Sequence, residues 1–483
     1  MFSIKLLRYG VFGFTFLFHL VLTFALAGNF PTGIDGYYNL KQIENLALTG
    51  QFYYQDYSFA FFPPALFTFL FPSYSILSLQ LTNSLCYSLT ITAVFLLTNL
   101  AQSNFSAENQ RKKSTYTSLT VVALLLLTLP LYHFSFTYYK NLFAISMFLW
   151  AVYYYFKSIN EEEKGRKSIY ISLIFIVLAL FSHKSIFVFL FLFSVSYTLY
   201  HFTVKRLIIL AVLFSVFTIL FFTIFANSVA YVSAIIDVFD FRSNFLRWFA
   251  GSLQHDTSVV LIYMFNLIAI ILYFFVRSKI PSGYKTSMLT VILFLTFAIF
   301  PFQKFGYNEP SFRLQIFTPL FFLPAFFLLL TQFKNKNKHY RFLLSGLIVI
   351  FAGFFISEVR RIQLNFPDWE KIKNIEKITL YVSRDDHLIA HHGLEYYLNY
   401  ITGIRARQWK STDENQKKFR IAFVPERVMD KSDRTLFSKS ALLKLSDEYY
   451  LVTEDSWQYY RENYFLFGSW KNPEMERPAH LHE

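Results

Sequence analysis

Long apolar blocks dominate the chain, near 7–28, 76–100, 116–134, 141–157, 168–182, 185–201, 206–226, 257–276, 286–301, 314–332 and 341–357. Their lengths approach the roughly 20 residues a helix needs to cross a bilayer, and eleven transmembrane helices are predicted. Between the first two blocks, Tyr37, Tyr38, Leu40, Ile43, Leu46 and Ala47 recur at helical spacing, opposite Asn39, Lys41, Gln42, Glu44 and Asn45. This predicts an amphipathic helix lying in the membrane interface, its tyrosines at headgroup depth, stopped at Thr49-Gly50. The apolar run from Phe59 to Pro72 is too short to span. Pro63 and Pro64 argue against a continuous helix there, so a re-entrant or surface-lying piece is expected.

From about residue 358 the pattern becomes that of a soluble domain. Lys377–Val382, Arg420–Val424 and Tyr449–Thr453 read as strands, Leu388–Tyr400 as a helix closed by Gly403, and a further helix follows from Asp455. Strands alternating with helices predict a small α/β domain with a mostly parallel sheet. The expected fold class is a polytopic α-helical membrane protein of about eleven spans. A transmembrane domain, 1–357, includes the first outer loop, 29–75, and a soluble α/β domain covers 358–483.

The formal net charge of +14 raises the question of nucleic acid. Placement answers it: with the N-terminus cytoplasmic, the inner segments hold 18 Lys and Arg against four Glu, while the outer segments and the tail are balanced. That is the positive-inside pattern of a membrane protein, not a nucleic-acid surface. An odd span count then puts the tail outside, and the Phe, Tyr, Lys and Asn bias suits a bacterial inner membrane. The lone Cys86 lies within a span and allows no intramolecular disulfide. Ala25-Leu26-Ala27 could pass for a signal-peptidase site, but the first span is expected to be retained. No Gly-rich phosphate loop, HExxH, CxxC or internal repeat is present.

Asp35, the first acidic residue, sits at the rim of the first span, where an ionised group is costly without a job or a partner. Taken alone it reads as a helix-end residue wetted by solvent. Its downstream neighbours change the picture. Asp35-Gly36-Tyr37-Tyr38, then Glu44-Asn45-Leu46, Gly50-Gln51-Phe52 and Phe62-Pro63-Pro64-Ala65-Leu66, resemble the N-terminal signature of the GT-C membrane glycosyltransferases. That superfamily includes the protein O-mannosyltransferases, the aminoarabinose transferases and the catalytic subunits of oligosaccharyltransferases. The likeness covers the first 100 residues by motif and the rest by architecture.

The resemblance implies transfer of a sugar from a polyprenyl-phosphate donor to a glycan, lipid or protein acceptor at the extracytoplasmic face. Asp35 matches the position of the family's first-loop acid. Many members carry a second acid immediately after it, where this chain has Gly36. Some place acids in the outer turn at 131–141, where this chain has His133 and Lys140. A His-containing turn is common where His183 and Lys184 stand. The loop ending at Arg313, with Lys304 and Glu309 in it, is similar to the family's loop that contributes a basic residue to the donor's phosphate.

Glycosyl transfer needs a base for the acceptor's proton and cations for the departing phosphate. Asp35 is the candidate base. His183, Lys184, Arg242, Lys304 and Arg313 are candidates for the phosphate, and Tyr37, Tyr38, His133, Lys140, Asp240 and Glu309 for the acceptor or cavity wall. Adjacent His391 and His392 project differently from a helix and do not share a metal. With Gly36 after Asp35, the ligand supply for a divalent cation is thin unless Asp237, Asp240 or Glu309 folds over the site, and no metal is expected. Besides the donor, the expected partners are membrane lipids, and no nucleic acid. Competing readings are a surface-polysaccharide polymerase or ligase, which would not need Asp35, and a lipid or sugar transporter, which should show inverted halves. A structural membrane protein with the tail as a binding module is a third.

Overall fold

In the computed structural model the described residues are 4–33, 35–54, 56–105, 111–160, 165–183, 185–200, 257–299, 318–330, 346, 369–390, 393–404, 406–407, 417–423, 438–439, 441–446 and 449–460. The expected spans at 206–226 and 341–357 and the outer loops at 227–256 and 301–313 lie outside them. The chain divides into two compact units. The first comprises Met1–Thr23, Asp56–Pro63 and Leu81–Arg360, and the second Phe24–Gln55, Pro64–Gln80 and Arg361–Glu483. Residues of the first outer loop thus belong to the same unit as the tail.

Helix α1, Ile4–Ala27, is 24 residues long, about 36 Å at 1.5 Å per residue. Gly28, at φ +55°, closes it by donating to the Phe24 carbonyl at 3.0 Å. Its burial is inverted relative to a water-soluble helix: Phe14, Leu17 and Val21 are exposed, whereas Thr15, His19 and Thr23 are buried. Polar side chains turned inward and apolar ones outward suit a lipid surround, in which hydrogen bonds and close packing rather than apolar burial join helices.

The first unit continues with α4 (Ser75–Phe105), α5 (Arg111–Leu126), α6 (Leu129–Thr137), α7 (Tyr139–Asn160), α8 (Gly165–Leu180) and α9 (Ser185–Tyr200). After the 201–256 interval come α10 (Thr257–Val276), α11 (Ser282–Ile299) and α12 (Pro319–Leu330). Among the described residues three helices, Leu6–Ala27, Pro72–Ser103 and Tyr139–Ile159, are long and apolar enough to cross a membrane. A fourth is added if the bent pair Ser114–Leu126 and Leu131–Thr137 counts as one. The protein is a helical membrane protein. The block at 116–134 is not one straight span: it bends by 62°. Pro130 lacks an N–H for the preceding turn, so α6 starts afresh after an extended Thr128 (φ −91°, ψ 100°), with the proline in its first turn. The residues read as a tight outer turn are therefore helical, with His133 on α6 and Lys140 in the first turn of α7. Phe189 of α9 binds the bundle together, its ring 4.7–5.1 Å from those of Phe148, Phe294 and Phe321 on α7, α11 and α12.

The run at 59–72 folds as a short 3-10 turn, Phe59–Phe61, and helix α3, Phe62–Leu70. The prolines open this helix instead of barring it, because the first turn has no use for their missing N–H groups. Helix α2, Gly36–Thr49, matches the expected amphipathic helix and ends at Gly50, which is left-handed at φ +71°. Its surroundings differ from expectation. Tyr37 and Leu40 are buried in a protein core with Ile375, Ile378, Leu388, Tyr397, Leu398 and Leu451 of the tail, not laid in the membrane interface.

That core sits on a five-stranded sheet of order β2-β1-β3-β5-β4, with β1 His387–Ile389, β2 Ala406–Arg407, β3 Lys418–Phe423, β4 Leu443–Lys444 and β5 Tyr449–Thr453. Pairs β1·β2 and β1·β3 are parallel, but β3·β5 and β4·β5 are antiparallel, so the sheet is mixed. The tight return from β4 to β5 leaves no room for a crossover helix and forces opposite directions. Helix α13, Leu394–Ile401, begins after strand β1, later than the helix expected from 388. Helix α14, Glu454–Tyr460, follows β5. The segment expected as a strand at 377–382 belongs mostly to a 3-10 helix, Trp369–Leu380. Its isoleucines at 372, 375 and 378 recur every third residue, the period of that helix. Ile375 and Ile378 are buried, while Leu380, which a strand would have turned inward with Ile378, is 81% exposed.

Candidate functional site

In the second unit Gly33, at φ +74°, turns the chain so that Gly36 donates to its carbonyl at 3.1 Å, and Asp35 falls at the N-cap of α2. The Asp35 carbonyl accepts the helix's first bond, from Asn39 N–H at 2.8 Å, whereas its carboxylate makes no capping hydrogen bond. The side chain is half-buried at the N-terminal end of the helix. The glycine next to it has a steric cause. A Cβ on residue 36 would lie 2.9 Å from Pro31 Cβ and 3.0 Å from its carbonyl carbon, leaving no space for a second acid.

Tyr37 and Tyr38, both expected at an acceptor cavity, part company. Tyr37 is 3% exposed and meets Tyr397 edge-on at 4.9 Å, a core contact. Tyr38 stacks on Tyr54 at 4.6 Å and approaches Tyr396 at 5.1 Å. Gln42 pins this loop: its Oε1 accepts from Tyr54 N–H at 2.9 Å and its Nε2 donates to Tyr54 O at 3.3 Å. Glu395 is buried nearby. Burial first, then the neighbouring Tyr53 and the Glu395 carboxylate, push the Tyr54 phenol above its usual range. Lys41 lies over the Tyr53 ring at 5.0 Å, and Glu44 accepts from Ser75 Oγ at 2.7 Å. Glu395 and Tyr396 belong to the tail segment 391–398, which resembles the tails of some bacterial GT-C relatives, but their meeting with Tyr38 and Tyr54 could not be read from the sequence, because only the fold joins the first loop to the tail.

In the first unit the segment 56–61 is tied down at four points. Lys140 forms an ion pair with Asp56, Tyr139 donates to Ala60 O at 2.7 Å, Ser58 donates to Ser182 O at 2.8 Å, and Phe59 N–H to Phe181 O at 3.2 Å. The structure thus pairs Lys140 with Asp56, an acid that sequence reasoning passed over, and holds residues 181–182 against Ser58 and Phe59. His183 Nδ1 accepts from Ser185 N–H at 3.1 Å and lies 2.9 Å from Ser185 Oγ, which closes the start of α9. His133 stands on α6 with its ring 6.3 Å from Tyr138. Lys184, Arg242, Lys304, Arg313, Asp240 and Glu309 lie outside the described residues, as do Asp237, His391 and His392. Among the described residues no group of three or more His, Cys, Asp or Glu could hold a metal ion.

One further histidine was not anticipated. His19, fully buried on α1, lies 2.9 Å from Ser84 Oγ on α4 through Nδ1 and 2.8 Å from Ser135 Oγ on α6 through Nε2, stacked on Tyr87 at 4.3 Å. Its signal was in the sequence: an ionisable residue within a span, flanked by Thr15 and Thr23 at four-residue intervals. Thr15 adds a 2.9 Å bond to Ser88. These bonds join three helices in a medium that supplies no water to compete.

No protein-family model matches the chain, and no curated protein matches it.

Proposed function

We propose that the protein is an integral membrane glycosyltransferase of GT-C type. In this reading it has about eleven spans, a cytoplasmic N-terminus and an extracytoplasmic tail in a bacterial inner membrane, and it takes a sugar from a polyprenyl-phosphate donor to a glycan, lipid or protein acceptor. The observation that carries it is Asp35, a half-buried carboxylate at the head of α2, directly after the first apolar helix. Asp35 takes the proton from the acceptor as its oxygen or nitrogen attacks the anomeric carbon, and the lipid phosphate leaves with the electron pair of the broken bond. His183, Lys184, Arg242, Lys304 and Arg313 are assigned to that phosphate. Tyr38 is assigned to the cavity wall.

The test is release of polyprenyl phosphate by the full chain in detergent, across a panel of polyprenyl-phosphate hexoses and pentoses. Asp35→Asn is expected to lower turnover by about 10²–10⁴-fold, the usual worth of a general base, with donor binding retained. A mild Asp35→Asn beside a severe Arg313→Ala would instead favour a polymerase or ligase.

A further inference from the structure

The helical unit holds a cavity of about 460 Å³. It lies among the last turns of α4 and α7, the first turns of α8 and α11, and parts of α9 and α12. Most of its lining is aliphatic or aromatic, and three of its hydroxyls are engaged with backbone carbonyls: Thr98 with Val94 at 2.8 Å, Ser172 with Ala151 at 2.8 Å and Thr290 with Thr286 at 2.9 Å. Walls this apolar offer water few partners, and an apolar cavity stays dry or fills with hydrocarbon. Tyr155, Ile169 and Leu173 line it yet are 40%, 45% and 52% exposed, so it opens sideways beside α7 and α8.

One end of the cavity is marked by charge. The rings of Phe156 and Tyr284, both in the lining, stack at 4.8 Å with 10° between their planes, and the next residues are Lys157 and Lys285. Among the described residues at this end the charged side chains are Lys157, Arg166, Lys167, Arg277, Lys279 and Lys285, all basic. The connecting residues Glu161, Glu162 and Glu163 lie outside the described residues.

We infer that this unit binds one anionic glycerophospholipid, an acyl chain in the cavity and the headgroup phosphate against Lys157 and Lys285. The lateral opening admits a chain from the bilayer, and basic residues between helix ends recognise anionic headgroups. The inference stands apart from the glycosyltransferase reading and uses none of its residues.

Native mass spectrometry of the full-length protein in uncharged detergent, titrated with phosphatidylglycerol or with phosphatidylcholine of the same chains, tests it. One phosphatidylglycerol per chain should be retained, about fivefold tighter for each lysine engaged. Lys157→Gln with Lys285→Gln should bring it to the phosphatidylcholine level. Both lysines are half-buried near helix ends, Lys157 with its ammonium 5.9 Å from the Tyr154 ring, and circular dichroism checks that helicity is kept. Leu173→Trp, at the opening, should weaken both lipids. Equal retention of the two lipids by the unaltered protein, or an unchanged double Gln variant, overturns the inference. So does displacement of phosphatidylglycerol by a stoichiometric amount of polyprenyl phosphate.

Discussion

The hydroxyl of Tyr400 donates a 2.8 Å hydrogen bond to the Glu44 carboxylate, joining α13 of the tail to α2 of the first outer loop across 356 residues of sequence. A hydrogen bond to a charged group is worth about 1.5–3 kcal/mol, with the lower end fitting a half-buried site. Tyr400→Phe is expected to destabilise the second unit by about 1–2 kcal/mol, and Glu44→Leu, which also takes the acceptor from Ser75, by more. The two losses should not add in full, since each removes the Tyr400–Glu44 bond. Thermal unfolding of the single and double variants decides it, and full additivity would refute the pairing.

Alkali should loosen this unit. Burial raises the phenols of Tyr37, Tyr54, Tyr397 and Tyr400 above their ordinary range; the neighbouring tyrosines add to this for Tyr37, and the Glu44 carboxylate for Tyr400. The folded state therefore keeps protons that the unfolded chain gives up. The associated stability is whole below the ordinary tyrosine value of about 10 and is lost as pH climbs above it. Tyrosinate absorbance recorded together with unfolding should show the two rising in step. Tyr37→Phe should make the decline shallower, and a stability that grew with pH in that window would contradict the burial described.

At Gly36 the usual sign of a substitution is reversed. Alanine for glycine within a helix ordinarily gains about 0.5–1 kcal/mol. Here the new Cβ would press on Pro31, and overpacking of this kind costs about 1–3 kcal/mol. Gly36→Ala should therefore lower the melting temperature, Gly36→Asp more so, and Pro31→Gly should restore part of the loss. A Gly36→Asp protein as stable as the parent would show that the contact yields.

The Lys140–Asp56 pair is a little over a quarter exposed on each side. Removing one member strands the other charge, so Asp56→Asn or Lys140→Met alone should each cost about 1–3 kcal/mol. The double variant should lose less than the two together. Limited proteolysis at the 56–61 segment supplies the readout, with cleavage faster in the singles than in the double.

Local pattern carried the fold wherever one element decides its own form. The apolar blocks at 7–28, 76–100 and 141–157, the stop of α2 at the left-handed Gly50 and strands β3 and β5 follow from period and end residues. Three features depend on what touches what and were not visible locally. The apolar face of α2 looks the same whether lipid or protein covers it, and its covering residues come some 340 positions later. The segment 377–382 carries a two-residue alternation and a three-residue one together, and the core chose the latter. Asp56 gained a role only because Lys140 was folded onto it. The bend at Pro130, by contrast, was written in the chain, because a proline inside an apolar block announces a break.

The core shared by α2 and the tail has a consequence for how the molecule is made. A ribosome adds about 5–20 residues per second, so the 356 positions between Glu44 and Tyr400 correspond to roughly 20–70 s of elongation. During that interval the greasy side of α2 has been synthesised and its cover has not. A tail released by cutting near 358 would be missing a wall, and a nascent chain stalled before it would carry an uncovered helix, a natural hold-point for a chaperone or a quality-control protease.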